Sequence, residues 1–410
     1  MLSKEQNERL TKVGPGEPMG ELMRRYWHPI AAVSEFGRFP IKRRVLSEDV
    51  IVYRDTSGRY GAMQPNCPHR GASLEFGSLD ESGVRCPYHG WKFDRLGSCT
   101  EQPAEAGGGA KSGAKVRAYP AEELGGLVWV YLGPAPAPLL PRYDIFLWEG
   151  CLREIGHITL PCNFMQIMEN SVDPHHLEWL HGKFGAYARG DDAAALFSKR
   201  TVKTAFDLFE YGILKRRLLE GETEDCDGWK IGHPLVFPNL LRVGSGGHNQ
   251  IQIRVPVDDV TTHIFYYTAY QPPSGKNARK QENIPLYEIQ TKNANGDYML
   301  DVTDVQDFAV WVSQGPIADR TIERLGKSDV GLSKLRALYF SELEKVENGI
   351  DPICVIRDPR RNEVIRLPQE MHAFGSGSGW IRALMMTGQS RFSPLIGEII
   401  ELFEVDSIPS

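Results

Sequence analysis

The sequence predicts an α+β protein: an all-β unit followed by a larger unit in which an antiparallel sheet is covered by helices. Three observations lead there. Short β-like runs separated by turn residues fill about 100 positions from residue 33 to 132. Two long alternating runs, 249–257 and 262–271, follow one another across the Asp258-Asp259 pair, and helical patterns return over 304–312 and 332–348. Strands followed by helices without strict alternation favour α+β over a doubly wound sheet.

The first 27 residues have helical spacing, with Leu10, Val13, Met19, Leu22, Met23 and Tyr26 broken into two pieces by Gly14-Pro15-Gly16. Runs at 45–53, 84–86 and 127–132 then read as strands, with turns at 55–58 and 94–97. The prolines 134, 136, 138 and 141 form a linker, so the expected units are a helical arm (1–32) packing on the last unit, a β unit (33–134) and a catalytic unit (135–410). Beyond the linker a helical stretch covers 162–181. In the run 249–257, Ile251, Ile253, Val255 and Val257 alternate with Gln250, Gln252, Arg254 and Pro256, the pattern of a sheet with one buried face, and 262–271 reads as its antiparallel neighbour.

Composition excludes several classes. With 47 basic and 53 acidic side chains in 410 residues the net charge is −6, which argues against a nucleic-acid coat. A 24% charged, 41% hydrophobic chain with no apolar stretch of spanning length is expected to be neither disordered nor in a membrane. The charged start points to a cytoplasmic protein, and seven scattered cysteines do not form a disulfide framework. Cys99, Cys151, Cys162, Cys226 and Cys354 are expected to be small buried hydrophobes.

The remaining two cysteines carry chemistry. Cys67-Pro68-His69 and Cys86-Pro87-Tyr88-His89 are separated by the sixteen residues 70–85, and two such pairs can hold tetrahedral zinc or an iron–sulfur cluster. Zinc knuckles usually use one kind of ligand, whereas each half here offers one thiolate and one imidazole. With His69-Arg70-Gly71 after one pair and His89-Gly90-Trp91 after the other, the segment resembles the Rieske [2Fe–2S] domain. The resemblance implies that Cys67 and Cys86 bind the inner iron and His69 and His89 the outer one. Replacing two thiolates with neutral imidazoles raises the reduction potential.

A second constellation lies at 169–181, where Glu169, Asp173, His175, His176, Glu178 and His181 fall within an otherwise apolar segment. Two histidines and one carboxylate on one face is the facial triad of mononuclear iron(II) oxygenases. On a regular α-helix His176 and His181 stand about 140° apart, so they share a metal only if the helix is locally rewound or broken, and Pro174 supplies a reason. Asp173, three before His176, shares its face. Glu169 and Glu178 read as solvated or supporting residues, and His175 as an ordinary helix histidine.

This stretch resembles the Asp-x-x-His-x4-His motif of Rieske non-haem iron ring-hydroxylating oxygenases, phthalate dioxygenase-like branch. By that resemblance His176 and His181 are iron ligands, and Asp173 is the acid that bridges a ligand histidine to His89 of the partner subunit. The third ligand is then a distant carboxylate among Asp301, Asp304 and Asp307. Gln306-Asp307 precedes Gln314-Gly315 and Asp319-Arg320 as in the family, which selects Asp307 and leaves Asp304 as a helix N-cap.

The resemblance implies a helix-grip catalytic domain, one Rieske cluster and one mononuclear Fe(II) per subunit, and a homotrimer or hexamer. It further implies a flavin and iron–sulfur reductase as electron donor and an aromatic substrate with dioxygen. The expected reaction is ring dihydroxylation of an aromatic carboxylate such as a phthalate or benzoate, with oxidative O-demethylation or monooxygenation of a methoxylated acid as the alternative. A Rieske electron carrier without oxygen chemistry would leave the second constellation without purpose. No nucleotide-binding glycine motif follows a strand, and the glycine-rich 108–115 has Ala114 where a phosphate loop needs lysine, so it reads as a surface loop. Arg216, Arg217, Arg242 and Arg254 are candidates for a carboxylate anchor, although arginines of this kind are mostly at the surface.

Overall fold

A reciprocal cap starts the chain: the Ser3 hydroxyl accepts the Gln6 N–H while the Gln6 side chain accepts the Ser3 N–H, opening helix α1 (Lys4–Thr11). The computed structural model describes residues 1–105, 113–190, 197–370 and 377–406. Helix α2 (Pro18–Met23) follows the expected break, and Leu10, Met19, Leu22 and Met23 are fully buried. The expected helical arm ends differently, because its last six residues form strand β1 (Trp27–Ala32). The arm is bonded to the far end of the chain through the Leu2 N–H on the Arg320 carbonyl and the Asn7 amide on the Ala318 carbonyl.

Ten short strands come next: β2 (Ile41–Val45), β3 (Glu48–Arg54), β4 (Tyr60–Met63), β5 (Ser78–Asp80), β6 (Gly83–Arg85), β7 (Lys92–Asp94), β8 (Cys99–Glu101), β9 (Ala118–Tyr119), β10 (Ala121–Leu124) and β11 (Leu127–Tyr131). They make sheets ordered β2-β3-β4-β9 and β5-β6-β7-β8, while β1-β11-β10 forms a third. The run 45–53 is not one strand. Leu46 (φ +50°) and Ser47 (φ +62°) form a two-residue hairpin turn, the left-handed geometry such a turn requires. Docking sustains that conformation, since both N–H groups donate to carbonyls of residues 256 and 257. Ile51, Tyr53, Met63, Leu74, Val84 and Phe93 form a small core that includes Cys67 and Cys86. The glycine-rich 107–113 falls almost wholly outside the described residues.

The second unit is built on strands β12 (Leu152–Leu160), β13 (Thr201–Phe209), β14 (Gly212–Leu219), β15 (His233–Val236), β16 (Leu240–Ser245), β17 (His248–Asp258), β18 (Thr261–Tyr270) and β19 (Leu286–Glu288). Their order is β13-β14-β15-β16-β17-β18-β12-β19, antiparallel except for the last pair. Helices α3 (Phe164–Val172), α4 (Gly185–Arg189), α5 (Asp227–Lys230), α6 (Thr303–Ser313), α7 (Val330–Glu347), α8 (Gly377–Thr387) and α9 (Ile396–Phe403) accompany it, so the chain is α+β. The Asn163 side chain caps α3, and every α3 residue except Asn170 is buried between β17 and α7. Full burial of Phe164, Met165, Ile167 and Met168 contributes roughly 1.5–3 kcal/mol each.

The strand at 249–257 departs from its expected one-sided pattern. Gln250 and Arg254 are as buried as Ile251 and Ile253, because the polar face looks into a cavity rather than open solvent. Arg254 is therefore buried and not at the surface; Arg217 and Arg242 are buried too, the first against Glu370 and the second against Gln369 and the Trp148 ring. Cys99, Cys226 and Cys354 are half-buried, unlike Cys151 and Cys162, and the seven cysteines are unpaired. No helix among the described residues is long and apolar enough to cross a membrane.

Candidate active site

Two loops of like construction carry the first constellation. The Cys67 carbonyl accepts the Gly71 N–H (2.8 Å) and the Cys86 carbonyl accepts the Gly90 N–H (3.0 Å). Both glycines are left-handed, at φ +74° and +76°, a conformation that strains any other residue there. The two cysteines are 2% and 3% exposed. Burial pushes the Cys67 thiol up to about 11; the His69 N–H pulls it down and the adjacent Cys86 thiol adds to the rise. The imidazoles lie outside: the His69 and His89 rings are 4.6 Å apart, and His69 stacks on Trp91 at 4.6 Å and 3°. Two soft donors inward and two imidazoles outward is a donor set that fits a cluster whose irons are ligated differently.

The helical stretch expected over 162–181 is divided, and the division assembles the second constellation. α3 stops where Asp173 turns extended (φ −77°, ψ 125°), and from Leu177 to Phe184 the backbone is a π-helix. Its i→i+5 hydrogen-bond repeat is the underwinding that a spacing of five needs. His176 and His181 therefore face one another, ring centroids 5.2 Å apart at 81°. Gly182 lets this helix lie against the chain at 197–198, where a Cβ would meet the Ser198 Cα at 2.9 Å.

Asp307, on α6, completes the group: ligand atoms of His176, His181 and Asp307 lie within 4.8 Å of one another. Asp307 Oδ1 is 3.4 Å from His181 Nε2 and, though buried, has no hydrogen-bond partner among the described residues. Burial acts to raise the Asp307 carboxyl, but His181, His176 and Arg254 hold it below the ordinary range. Burial likewise disfavours charge on His181, and the Asp307 charge 3.4 Å away, with the Gln306 amide, reverses that, raising it. An orphaned carboxylate oxygen between two imidazoles fits a divalent metal of the facial-triad type.

The surroundings orient these donors. Asp173 Oδ1 accepts the His175 N–H (2.9 Å), and Oδ2 accepts the His176 N–H (3.1 Å) while lying 3.3 Å from His176 Nδ1. Burial would raise the Asp173 carboxyl, but these bonds and the Lys215 ammonium hold it at about 2. Lys215 Nζ, on β14, donates to the Ser171 (2.9 Å) and Asp173 (3.3 Å) carbonyls, fixing the end of α3. Gln306 Oε1 lies 3.0 Å from His181 Nδ1. Neither Lys215 nor Gln306 was assigned a role from sequence; the alternation of β14, which puts Lys215 and Arg217 on one face, could have found the first.

The other acidic residues have other partners. Glu169 is a buried bidentate partner of Arg320 and also meets Arg336, and Glu178 pairs with Lys183. Asp301 pairs with Arg391. Asp304 is not the N-cap of α6, which is Val302; it lies in the first turn and accepts the Gln389 N–H (2.8 Å), its carboxyl raised to about 6 by burial.

The triad opens on a cavity of about 150 Å³. Leu241, Val243, Trp380 and Leu384 supply apolar wall, and Lys215 and Arg254 supply a cationic one beside His233, whose imidazole burial and those charges keep neutral. Arg254 donates from Nη2 to Gln252 Oε1 (2.6 Å), while its Nε and Nη1 have no partner among the described residues. Burial lowers Lys215 to about 8 and Arg254 to about 10. A buried guanidinium with two free donors can receive a carboxylate.

The Rieske [2Fe-2S] domain model matches residues 26–120, and a model described as LigXa C-terminal domain like matches 273–366. The 5,5'-dehydrodivanillate O-demethylase oxygenase subunit of Sphingobium sp. is 41% identical over 373 residues, 90% of this chain and 87% of that one. The phthalate 4,5-dioxygenase oxygenase subunit of Pseudomonas putida is 33% identical over 395 residues, 85% and 88% of the two chains. Among solved structures, the terminal oxygenase of carbazole 1,9a-dioxygenase from Novosphingobium sp. KA1 shares the fold, with TM-score 0.60, 19% identity and coverage of 82% and 94%.

Proposed function

The chain belongs to the family of Rieske non-haem iron oxygenase α subunits, and from that premise we propose that it oxygenates an aromatic carboxylate such as a phthalate or substituted benzoate by ring hydroxylation. It is an oxidoreductase with a Rieske [2Fe–2S] domain, and its family carries mononuclear iron in the catalytic domain. In this reading Cys67 and Cys86 hold one cluster iron, His69 and His89 the other, and His176, His181 and Asp307 hold the mononuclear iron. When bound, the cluster would supply electrons one at a time and the mononuclear iron would supply dioxygen activation.

The chain's own side chains do the rest. Gln306 and Asp173 each engage the Nδ1 of one imidazole, which directs Nε2 inward. Arg254, flanked by Lys215 and His233, receives the substrate carboxylate, and the apolar wall holds the ring and excludes water. The observation that carries this reading is the buried, unpartnered Asp307 Oδ1 between two imidazoles at the cavity wall.

The units 1–32, 33–134 and 135–410 serve as arm, electron-receiving domain and catalytic domain in this proposal. The relatives are named as oxygenase subunits, which supports a separate flavin and iron–sulfur reductase. A homotrimer or hexamer would let Asp173 face His89 of the partner subunit, and the unpaired cysteines support a cytoplasmic setting.

A second reading, oxidative O-demethylation, is favoured by the 41% identical relative. There dioxygen, two electrons and two protons convert an aryl methyl ether to a phenol, formaldehyde and water. Product analysis separates the two: formaldehyde from methoxybenzoates marks demethylation, and a cis-diol from phthalates or benzoates marks ring hydroxylation. The metal assignment is tested by iron and sulfide content. About three irons and two sulfides per chain are expected, falling to about two irons with an unchanged Rieske electron paramagnetic resonance signal in Asp307→Ala. Zinc without sulfide would overturn it.

A further inference from the structure

A further imidazole pair stands on the face of the large sheet turned away from the triad. Strands β18, β12 and β19 are neighbours, and along them Ile264, Ile158 and Tyr287 pack with Val305 and Phe308 of α6, the helix that carries Asp307. Alternation puts the next residues, His263, His157 and Glu288, on the opposite face. The register brings these three together. His157 pairs with Glu288 on one side and with Phe265 on the other, and His263, paired with Thr159, is its diagonal neighbour.

The two rings have the spacing of metal ligands. Their centroids are 5.4 Å apart at 38°, against 5.2 Å for His176 and His181. Two imidazoles bound to one tetrahedral zinc through bonds of about 2 Å hold their ring centres about 5 Å apart. The Thr159 hydroxyl lies 2.7 Å from His263 Nδ1, which occupies that nitrogen and leaves Nε2 as the donor atom. The His157 ring and the exposed Glu288 carboxylate have no hydrogen-bond partner among the described residues.

The surrounding charges leave room for a cation. Glu35 and Arg43, whose charges reach His157, are paired with each other, and Glu35 also accepts the Ala32 N–H at 2.7 Å, so Glu288 is the carboxylate left to bind. Burial, with the charges of His157 and Arg43 adding to it, lowers His263 to about 3, and burial lowers His157 as well. Both imidazoles are therefore neutral, the form that binds a metal.

We propose that His157, His263 and Glu288 form a zinc site separate from both metal centres of the oxygenase, with water as the fourth ligand. Its role is structural. β19 is a three-residue strand at the edge of the sheet, and an ion held by Glu288 and the two histidines fastens it to β12 and β18.

The test uses tag-free, iron-loaded protein equilibrated with zinc chloride, with both metals counted by mass spectrometry and zinc affinity read by calorimetry. The wild type should take up about one zinc per chain at a Kd of about 10 μM or tighter, with its iron content and Rieske absorbance unchanged. Losing an outer partner of a metal costs about 10- to 100-fold in affinity, so His157→Gln and His263→Gln, which remove ligands, should each lose more than about 100-fold. Zinc should raise the Tm of the wild type and leave that of either histidine variant where it is. Glu288 is exposed, so Glu288→Gln keeps the fold and decides the matter should a histidine variant fail to fold; its zinc affinity should fall at least about tenfold. No zinc uptake, uptake matched by loss of iron, or an affinity unchanged in Glu288→Gln or in a folded histidine variant would overturn the proposal.

Discussion

Nδ1 of His181 lies 3.0 Å from Oε1 of Gln306, and the same amide donates from Nε2 to the Leu300 carbonyl at 2.7 Å. The second bond fixes the first: with Nε2 committed to a carbonyl, the amide oxygen faces the imidazole, which must carry its proton on Nδ1. Nε2 is thereby left toward Asp307 and His176. Gln306→Ala is expected to weaken iron(II) binding at the triad by about 10- to 100-fold, with the cluster untouched. Iron(II) titration followed by the Rieske absorbance as internal control checks it, and unchanged affinity would show that Gln306 only fills space.

Asp173 holds His176 and accepts two backbone N–H groups, and in the proposed function it acts through these contacts. Asp173→Asn keeps the size and an accepting oxygen but removes the charge, so both metals should stay bound while oxidation of the reduced cluster in a single turnover slows at least about tenfold. Stopped-flow absorbance measures that rate. With the carboxyl held at about 2 despite burial, its ionised form is lost only as pH falls through that value. No acid limb of the wild-type rate near pH 4–6 should therefore disappear in the variant.

Much of the fold was legible in the chain, and the candidate cluster ligands and triad histidines could be named from it because they are local in sequence. Cys67, His69, Cys86 and His89 sit in two short turns whose glycines announce the geometry. The requirement for a rewound helix followed from the spacing of His176 and His181, and its form, a π-helix entered through the Asp173 turn, did not. What escaped was set by long-range packing. Gln306 and Lys215 meet their partners across 125 and 44 residues, and no periodicity reports such contacts. The polar side of β17 was misjudged because alternation tells which residues share a face and not whether that face meets water or a cavity. The split of 45–53 was hidden because Leu46 and Ser47 hold left-handed backbone through contacts with β17.

Glu154 gives a stability prediction with a definite sign. It is fully buried and accepts from Tyr270 (2.9 Å), Tyr287 (3.2 Å) and Ser393, and burial outweighs these bonds to raise its carboxyl to about 7 from an ordinary 4.5. Between about 4.5 and about 7 the folded protein holds a proton that the unfolded chain has released, so stability falls as pH rises across that window and stays lowered above it. At 1.36 kcal/mol per pH unit the loss is on the order of 3 kcal/mol. Glu154→Gln removes it, so the variant's Tm relative to wild type should be higher at pH 8 than at pH 5. An equal offset at both pH values in scanning calorimetry would show that Glu154 does not change protonation on folding.

Arg254 should control affinity for the substrate carboxylate more than the rate of the bound complex. Its Nε and Nη1 lack partners among the described residues while Nη2 is held by Gln252, so the guanidinium is oriented before any ligand arrives. Arg254→Met removes the fork, and Arg254→Lys keeps a charge without bidentate geometry. Removing one partner of a buried charge pair costs about 2–5 kcal/mol, so KM for an aromatic acid should rise at least about 30-fold in Arg254→Met, less in Arg254→Lys, with kcat changed far less. The neutral primary amide of the same acid provides the control. It should bind wild type poorly and lose little more in Arg254→Met, because the interaction is already absent, and the shortfall from additivity measures the carboxylate–guanidinium contact. If acid and amide lost equally in the variant, Arg254 would be supporting Gln252 and the carboxylate would have to meet Lys215 instead.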